Sequence, residues 1–469
     1  MDGPAQRGGV ARRVVVAGGG LAGVTAALAC ADAGAEVHLF ESRRALGGAA
    51  GSLTRAGMEI DAGQHVFLRC CAAYRALLRR LDVEHLTELQ ARMDIAVLHP
   101  DGRRGRLTRN GLPAPLHLAG ALVRYPFLSS RERFMTAPAA LGLRRLDPDD
   151  PALDEVSFGS WLVAHAQSTN AVAALWDLIA TPTLNLHASE AGLAGAARVF
   201  KTGLLEHPAA ADIGIAAVPL ARLHDEPAAD ALACAGVRVH KGVAVKSVLH
   251  AAGEVRGVST RRGELLADAV IVAVPHDRVP ALVPASALAD PSVFERLGGS
   301  AIVSAHLVYD RSVFPGGFAA ALDSPVQWIF DRTDAAGVSR GQYLTVTLSD
   351  ADHLLQEPVD AVRRLLEPAL ATLLPAAQAA QVERFFVTRV PAATFRQGVG
   401  SARLRPGAVT RMPGLFLAGA YTATGWPATM EGAVRSGLTA AAAATGRCFT
   451  NATGAGALAT GKDPGGSSA

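Results

Sequence analysis

The 469-residue chain is short of several things, and each shortage removes a class of function. Aromatic residues make up only 5% of it, which disfavours a site walled by stacked rings. Its five cysteines, Cys30, Cys70, Cys71, Cys234 and Cys448, include no C-x-x-C spacing. Neither a zinc site nor a disulfide framework is therefore expected, and the usage fits a reducing cytoplasm. Lysine occurs only at Lys201, Lys241, Lys246 and Lys462, the formal net charge is +3, and no Lys/Arg block is present. That balance excludes a groove-reading nucleic-acid protein. No apolar run approaches twenty residues, and the opening "MDGPAQRGGVARR" has no apolar signal core. No spanning helix or secretory leader is predicted.

What is present is a chain that is half apolar, long enough for two or three domains with cores of their own. Its positive mean hydropathy without a spanning segment predicts extensive apolar surface and an apolar ligand. Residues 14–41 read "VVVAGGGLAGVTAALACADAGAEVHLFE". The order is strand, Gly18-x-Gly20-x-x-Gly23, Ala-rich helix, second strand, terminal acid. Gly18 permits the tight turn, Gly20 lets backbone approach a pyrophosphate, and Gly23 lets helix pack on strand. The helix N-terminus offers unpaired N–H groups to phosphate, and Glu41 stands where a carboxylate accepts from a ribose. The whole context, more than the glycine triplet alone, indicates a dinucleotide site.

A nicotinamide domain would next enter a crossover helix. Here "SRRALGGAAGSLTRAGMEIDAGQH" follows, with Arg43 and a second glycine pair, Gly47 and Gly48. The pattern "GGGLAG…E-x-R-x-x-x-GG…D-x-G" resembles the flavin amine oxidase and phytoene desaturase superfamily. That resemblance implies FAD, with Glu41 on the ribose, Arg43 and the glycine pair beside the pyrophosphate, and the D-x-G turn beside the flavin ring. Many members carry Arg directly after the pair; this chain has Ala49. Arg43 or Arg44 would have to replace that contact.

The resemblance also implies a discontinuous cofactor domain, so later segments should return to the same sheet. "AGVRVHKGVAVKSVLH" and "LADAVIVAVP" read as alternating strands reaching Val274 and Pro275, with Val245, ahead of Val243, as the match for a backbone partner of adenine. "GLFLAGAYTATGWPATMEGAVRSGLTAAAAA" reads as a strand ending at Gly419, a polar loop, and a helix starting near Pro427. It matches the superfamily's C-terminal flavin motif, which makes Gly419, Ala420, Met430 and Ala433 cofactor-binding candidates. Ala420 replaces a usual Asp, weakening one contact. Glu431 reads as a complement to the helix dipole.

The expected architecture is α/β: a Rossmann-like, discontinuous FAD-binding domain (residues 11–82, 213–277 and 405–447) with an inserted α+β substrate domain (83–212 and 278–404). A Gly/Ala/Ser-rich tail, 448–469, reads as disordered. Within the insert, residues 111–146 read as an amphipathic helix with Leu and Phe on one face and Arg on the other. Such a helix either packs on the domain or lies in a membrane interface.

One stretch remains, "DAGQHVFLRCC", Asp61 to Cys71. Together with "TGWPATMEGAVRSG" it is similar to the hydroxysqualene dehydroxylases, a subfamily of hopanoid-making bacteria. The implied chemistry is hydride transfer from reduced FAD to an allylic carbon whose hydroxyl leaves as water. His65 is the first candidate for the acid, because imidazole titrates near working pH. Gln64 would orient the hydroxyl, Asp61 would support the turn, and Arg69, Tyr74 and Trp426 rank behind His65 as pocket residues. His65 reads equally well as a hydrogen-bonded loop histidine. Two adjacent cysteines seldom chelate one ion, so no metal is expected. The alternatives are a carotenoid-type desaturase, an amine oxidase (disfavoured by the few aromatics), or a non-catalytic lipid escort. Only one convincing dinucleotide motif exists, so a nicotinamide donor would act transiently or through a partner. The expected location is cytoplasmic, with contact to the inner face of the plasma membrane if the substrate is a lipid.

Overall fold

Three consecutive valines, Val14–Val16, are buried on both faces of the first strand, Arg13–Ala17. A strand apolar on both sides belongs inside a parallel sheet. It sits at the centre of a five-stranded parallel one, in the order Arg238–Lys241, Glu36–Glu41, Arg13–Ala17, Ala269–Val272, Leu415–Leu417. The computed structural model describes residues 13–55 and 57–449. The tail read as disordered lies, from residue 450 onward, outside the described residues.

The helix after the first strand, Leu21–Asp32, is buried from Leu21 through Cys30. Small side chains all round make this workable, because the last helix, Met430–Thr445, packs directly upon it. A Cβ on Gly437 would lie 2.3 Å from the Ala22 carbonyl oxygen, so backbone meets backbone at the crossing. The first and last segments of the chain thus form one layer over the parallel sheet.

Three details here depart from the sequence reading. The segment read as a meander into the sheet divides: Arg238–Lys241 is its edge strand, and Val245–Ala251 instead opens a separate antiparallel meander with Glu254–Thr260 and Gly263–Leu266. The returning strand stops at Val272, two residues short of Val274. The last helix begins at Met430, not Pro427. Thr429 is extended, its hydroxyl accepts from the Gly432 N–H at 3.2 Å, and its own N–H turns back to the Pro427 carbonyl. Threonine is a better cap than the residues before it, so the helix starts there.

A second, seven-stranded sheet runs Val382–Thr394, Ser300–Tyr309, Gln342–Ser349, Trp328–Asp331, Phe318–Ala321, Asp94–Leu98, Arg104–Thr108. The helix Val359–Leu373 covers one face with Val362, Leu366, Leu370 and Leu373, a single stripe at helical spacing. Residues 119–205 are mainly helical and share a core around Phe158, Trp161, Trp176 and Phe200. Between the sheets lie a hairpin, Ser52–Arg55 with Met58–Asp61, and a small sheet in which Val66–Leu68 pairs with Ile213–Ala216. The single amphipathic helix read across residues 111–146 is two helices, Ala119–Arg124 and Ser130–Arg145. Pro126 forces the preceding Tyr125 to extend, and Ser129 with Glu132 then starts the second helix as a capping box.

Gly437→Ala is expected to lower unfolding free energy by about 1–3 kcal/mol, because the methyl group meets rigid backbone. Urea denaturation measures this; an unchanged midpoint would show that the two helices can separate at no cost.

Candidate active site

The turn after the first strand is built by exclusion. Gly18 holds φ +114°, donates its N–H to the Phe40 carbonyl at 2.7 Å, and has no room for a Cβ, which would lie 2.3 Å from the Ala273 oxygen. A Cβ on Gly23 would meet the Gly18 oxygen at 1.9 Å. Gly20 differs: a Cβ there would meet only the Gly48 Cα, at 3.8 Å. The second glycine pair lies across this turn, with the Gly47 N–H on the Gly19 carbonyl at 2.9 Å, and a Cβ on Gly48 would fall 2.9 Å from the Gly20 Cα. Two glycine loops therefore form a cradle that side chains would fill. It opens at the N-terminus of Leu21–Asp32, where no side chain caps the free N–H groups. This is what a pyrophosphate requires.

Glu41 is buried beside the cradle. Its carboxylate accepts from the Gly19 N–H (2.7 Å), the Arg43 N–H (2.7 Å) and the Ser42 hydroxyl (3.0 Å). It holds both ends of the site in register and keeps acceptor capacity for a ribose hydroxyl. The exposed Arg43 side chain reaches the Gly48 carbonyl at 3.4 Å, and Ala49 is exposed next to it. The Val243 N–H is committed to the Glu41 carbonyl at 2.8 Å, while Val245 begins the separate meander.

On the opposite flank, Gly419 at φ +148° donates to the Ser436 hydroxyl at 2.8 Å; a Cβ there would enter the Tyr421 ring. Ala420 is half-buried, and its carbonyl accepts from Arg405 at 3.1 Å. The Arg405 guanidinium also takes the Tyr421 and Thr422 carbonyls and lies over the Phe395 ring, and burial pulls its pKa down to about 10. Met430 and Ala433, half-buried in the first turn of the last helix, pack against the core under the parallel sheet. Glu431 serves a dipole, though that of a neighbour. Its buried carboxylate accepts the Ala73 and Tyr74 N–H groups at 3.1 and 2.7 Å, starting the helix Ala72–Arg80, and pairs with Arg435 at 2.7 Å.

The "DAGQH" turn is fixed from several sides. Buried Asp61 accepts from the Ser52 hydroxyl (2.7 Å), the Leu220 N–H (2.8 Å) and the Gln64 amide (3.4 Å), and pairs with Arg332 at 3.3 Å. Arg332 comes from the seven-stranded sheet and also donates to the Ala216 and Val218 carbonyls. Half-buried His65 stands against the Ala49 backbone; burial lowers its pKa, opposed by the Asp61 charge and by the Ala49 contact. A second imidazole stands beside it. His224 donates from Nδ1 to the Ala50 carbonyl at 2.8 Å, so its Nε2 accepts from the Tyr74 hydroxyl at 2.9 Å. Burial pulls its pKa down to about 4, with proximity to His65 adding to the effect.

A third chain arrives from the sheet: Tyr343 hydroxyl to His306 Nδ1 (2.7 Å), His306 Nε2–H to Thr388 Oγ1 (2.9 Å), Thr388 hydroxyl to the Ala62 carbonyl (2.9 Å). Arg332, His224, His306 and Arg405 all escaped the sequence reading; each lies in a segment without a motif. The other pocket candidates are engaged elsewhere. Arg69 pairs with the buried Asp212 at 2.8 Å, the Tyr74 hydroxyl belongs to His224, and Trp426 carries Arg435 over its ring at 4.6 Å. Cys71 is hydrogen-bonded to Cys70, which together with burial pushes its thiol pKa up.

Comparison with known proteins places this arrangement. The family described as flavin containing amine oxidoreductase matches residues 21–445. Hydroxysqualene dehydroxylases are similar to the chain; that of Zymomonas mobilis subsp. mobilis is 28% identical, covering 91% of this chain and 97% of its own. The zeta-carotene desaturase of Capsicum annuum is 25% identical over 92% of this chain and 80% of its own. An oxidoreductase structure from Methanosarcina mazei superposes with a TM-score of 0.70 at 17% identity, covering 91% of this chain and 99% of that one.

Because folding lowers the His224 pKa from 6.5 to about 4, the unfolded chain takes up that proton first on acidification. This contribution to stability is complete above pH 6.5 and is lost as pH falls toward 4, by about 3 kcal/mol in all. Denaturation of a His224→Gln variant at pH 7 and pH 4.5 should show a smaller loss on acidification than the parent; equal losses would mean that His224 is not held neutral.

Proposed function

The chain belongs to the flavin containing amine oxidoreductase family, and from that premise we propose that it is an FAD-dependent oxidoreductase of a long isoprenoid, reducing hydroxysqualene to squalene. The cradle of Gly18, Gly20, Gly23, Gly47 and Gly48 with Glu41 fits FAD, and the Gly419–Ala433 segment would hold its other half. The observation that carries the reading is the polar pair Gln64–His65 entering an apolar strand, Val66–Leu68, in a chain similar over 91% of its length to a hydroxysqualene dehydroxylase.

The overall change is R–OH plus hydride plus proton to R–H plus water. Bound reduced flavin would supply the hydride. Gln64 holds the allylic hydroxyl and His65 protonates it, so that water rather than hydroxide leaves. A buried imidazole binds its proton weakly and is therefore a stronger acid once loaded; Asp61 and the Ala49 backbone contact stabilise that loaded form.

A carotenoid-type desaturase is the second reading, favoured by the similarity to zeta-carotene desaturase. An amine oxidase is disfavoured, since one face of the only tryptophan in the C-terminal motif is covered by Arg435. Purified protein with FAD and dithionite is expected to convert hydroxysqualene to squalene, followed by gas chromatography. His65→Ala should lower kcat about a hundredfold or more, and Glu41→Gln should weaken FAD retention. Desaturation of ζ-carotene by the oxidised form with no squalene formed would favour the second reading; flavin bound without either turnover would leave the escort.

Substrate access would come from a membrane surface. On Ser130–Arg145, exposed Phe134 and Leu141 lie on the face opposite buried Thr136, Ala139 and Leu143, with exposed Arg131, Arg144 and Arg145 around them. Exposed Val123 and Arg124 stand on the preceding helix. Apolar residues ringed by arginine suit an anionic leaflet. No helix among the described residues is long and apolar enough to cross a membrane. Phe134→Ser with Val123→Ser should cut co-sedimentation with phosphatidylglycerol vesicles about tenfold or more; an unchanged bound fraction would remove this surface from consideration.

A further inference from the structure

Reductive loss of a hydroxyl creates a traffic problem inside a folded protein. Every turnover consumes one proton from solvent and releases one water molecule. Neither crosses apolar surface readily. In that reading His65 needs a new proton after each transfer.

Behind Gln64 lies a small cavity with room for about one water molecule. Its walls include Glu59, Asp61, Gln64, Arg332, Ala335 and Tyr343. About half of the wall is apolar, from Ile60, Pro219, Ala335 and Ala336, and the rest carries two carboxylates, an amide, a guanidinium and a phenol. A water needs two to four polar partners to settle in protein, and this site offers more than that. Its outer end is wet, because Glu59 is partly exposed and faces the exposed Arg222 at 3.6 Å. Its inner wall is the Gln64 amide, adjacent in the chain to His65. The bond from that amide to Asp61, at 3.4 Å, is the weakest of those Asp61 makes with neutral groups, so the amide turns more easily than anything around it. Arg332 and Tyr343 are pinned by Ala216, Val218 and His306 and form the fixed part of the wall.

We propose that this one-water cavity is the port through which the proton enters and the product water leaves, with the Gln64 amide as its inner gate. It rests on the dehydroxylation reading. In the step it serves, the C–O bond breaks, its electron pair leaves with oxygen and the port's proton completes the water; a bound reduced flavin would supply the hydride for the new C–H bond.

The test narrows the mouth of the port without touching the reacting groups. Ala335→Leu fills the cavity, and Ala335→Ser leaves it open and polar. Turnover of hydroxysqualene by dithionite-reduced holoenzyme should fall about tenfold to a hundredfold in the leucine variant. Its solvent deuterium isotope effect on kcat should grow, while flavin absorbance, KM and the serine variant stay at parental values. A crystal structure of the unsubstituted holoenzyme should show an ordered water bonded to at least two of Asp61, Gln64, Arg332 and Tyr343. A parental rate and isotope effect in the leucine variant, or a dry cavity, overturns the port while leaving the dehydroxylation reading intact. No squalene from the unsubstituted holoenzyme overturns that reading, and the port with it.

Discussion

A single carboxylate organises the region between the two sheets. The oxygens of Asp61 receive groups from the hairpin (Ser52), from their own turn (Gln64), from the chain leaving the small sheet (Leu220) and from the seven-stranded sheet (Arg332). These residues come from widely separated parts of the chain, and all of them point inward. A buried ion pair adds little to stability over a well-packed apolar contact, but losing one partner strands a charge at a cost of about 3–5 kcal/mol. The pair is thus better understood as fixing position: it locks the cofactor half of the molecule to the sheet carried by the insert.

Around it, backbone groups are treated uniformly. His65 stands against Ala49, His224 holds Ala50, the Ala62 N–H holds Gly51 at 3.3 Å, and Thr388 holds Ala62. Each imidazole in these chains has its pKa lowered, chiefly by burial, and His306 is pulled to about 3 with the Arg55 charge adding to the effect. Neutral imidazoles can donate at one nitrogen and accept at the other, which lets them bridge groups that two charges could not. The result is a pair of loops whose backbone is preset, so little reorganisation is left for the moment of reaction.

Local pattern made the glycine cradle readable. Gly18, Gly20, Gly23 and Glu41 are spaced by the geometry of one strand–turn–helix unit, and Gly47–Gly48 follow within a few residues. The α/β class and the flavin family follow from that unit and are the ones found. The supports of the site were invisible for the opposite reason. Arg332 meets Asp61 across 271 residues, and Thr388 meets Ala62 across 326. Nothing near either residue in the chain hints at its partner. Helix starts failed at a finer scale: proline at 427 looked like a first residue, but the hydroxyl of Thr429 settled the matter. The long apolar stretch at 111–146 was broken by Pro126, whose effect on Tyr125 is local and legible in hindsight.

The close crossing of Ala22 with Gly437 also bears on how the chain is born. The helix layer over the parallel sheet is completed only by Met430–Thr445, and the fifth strand of that sheet only by Leu415–Leu417. During synthesis, the face of Leu21–Asp32 that packs on Met430–Thr445 waits uncovered until that later helix has left the ribosome. Such long-range closure is slow and leaves sticky surface exposed meanwhile. Until the two helices meet, that apolar face depends on whatever else can cover it.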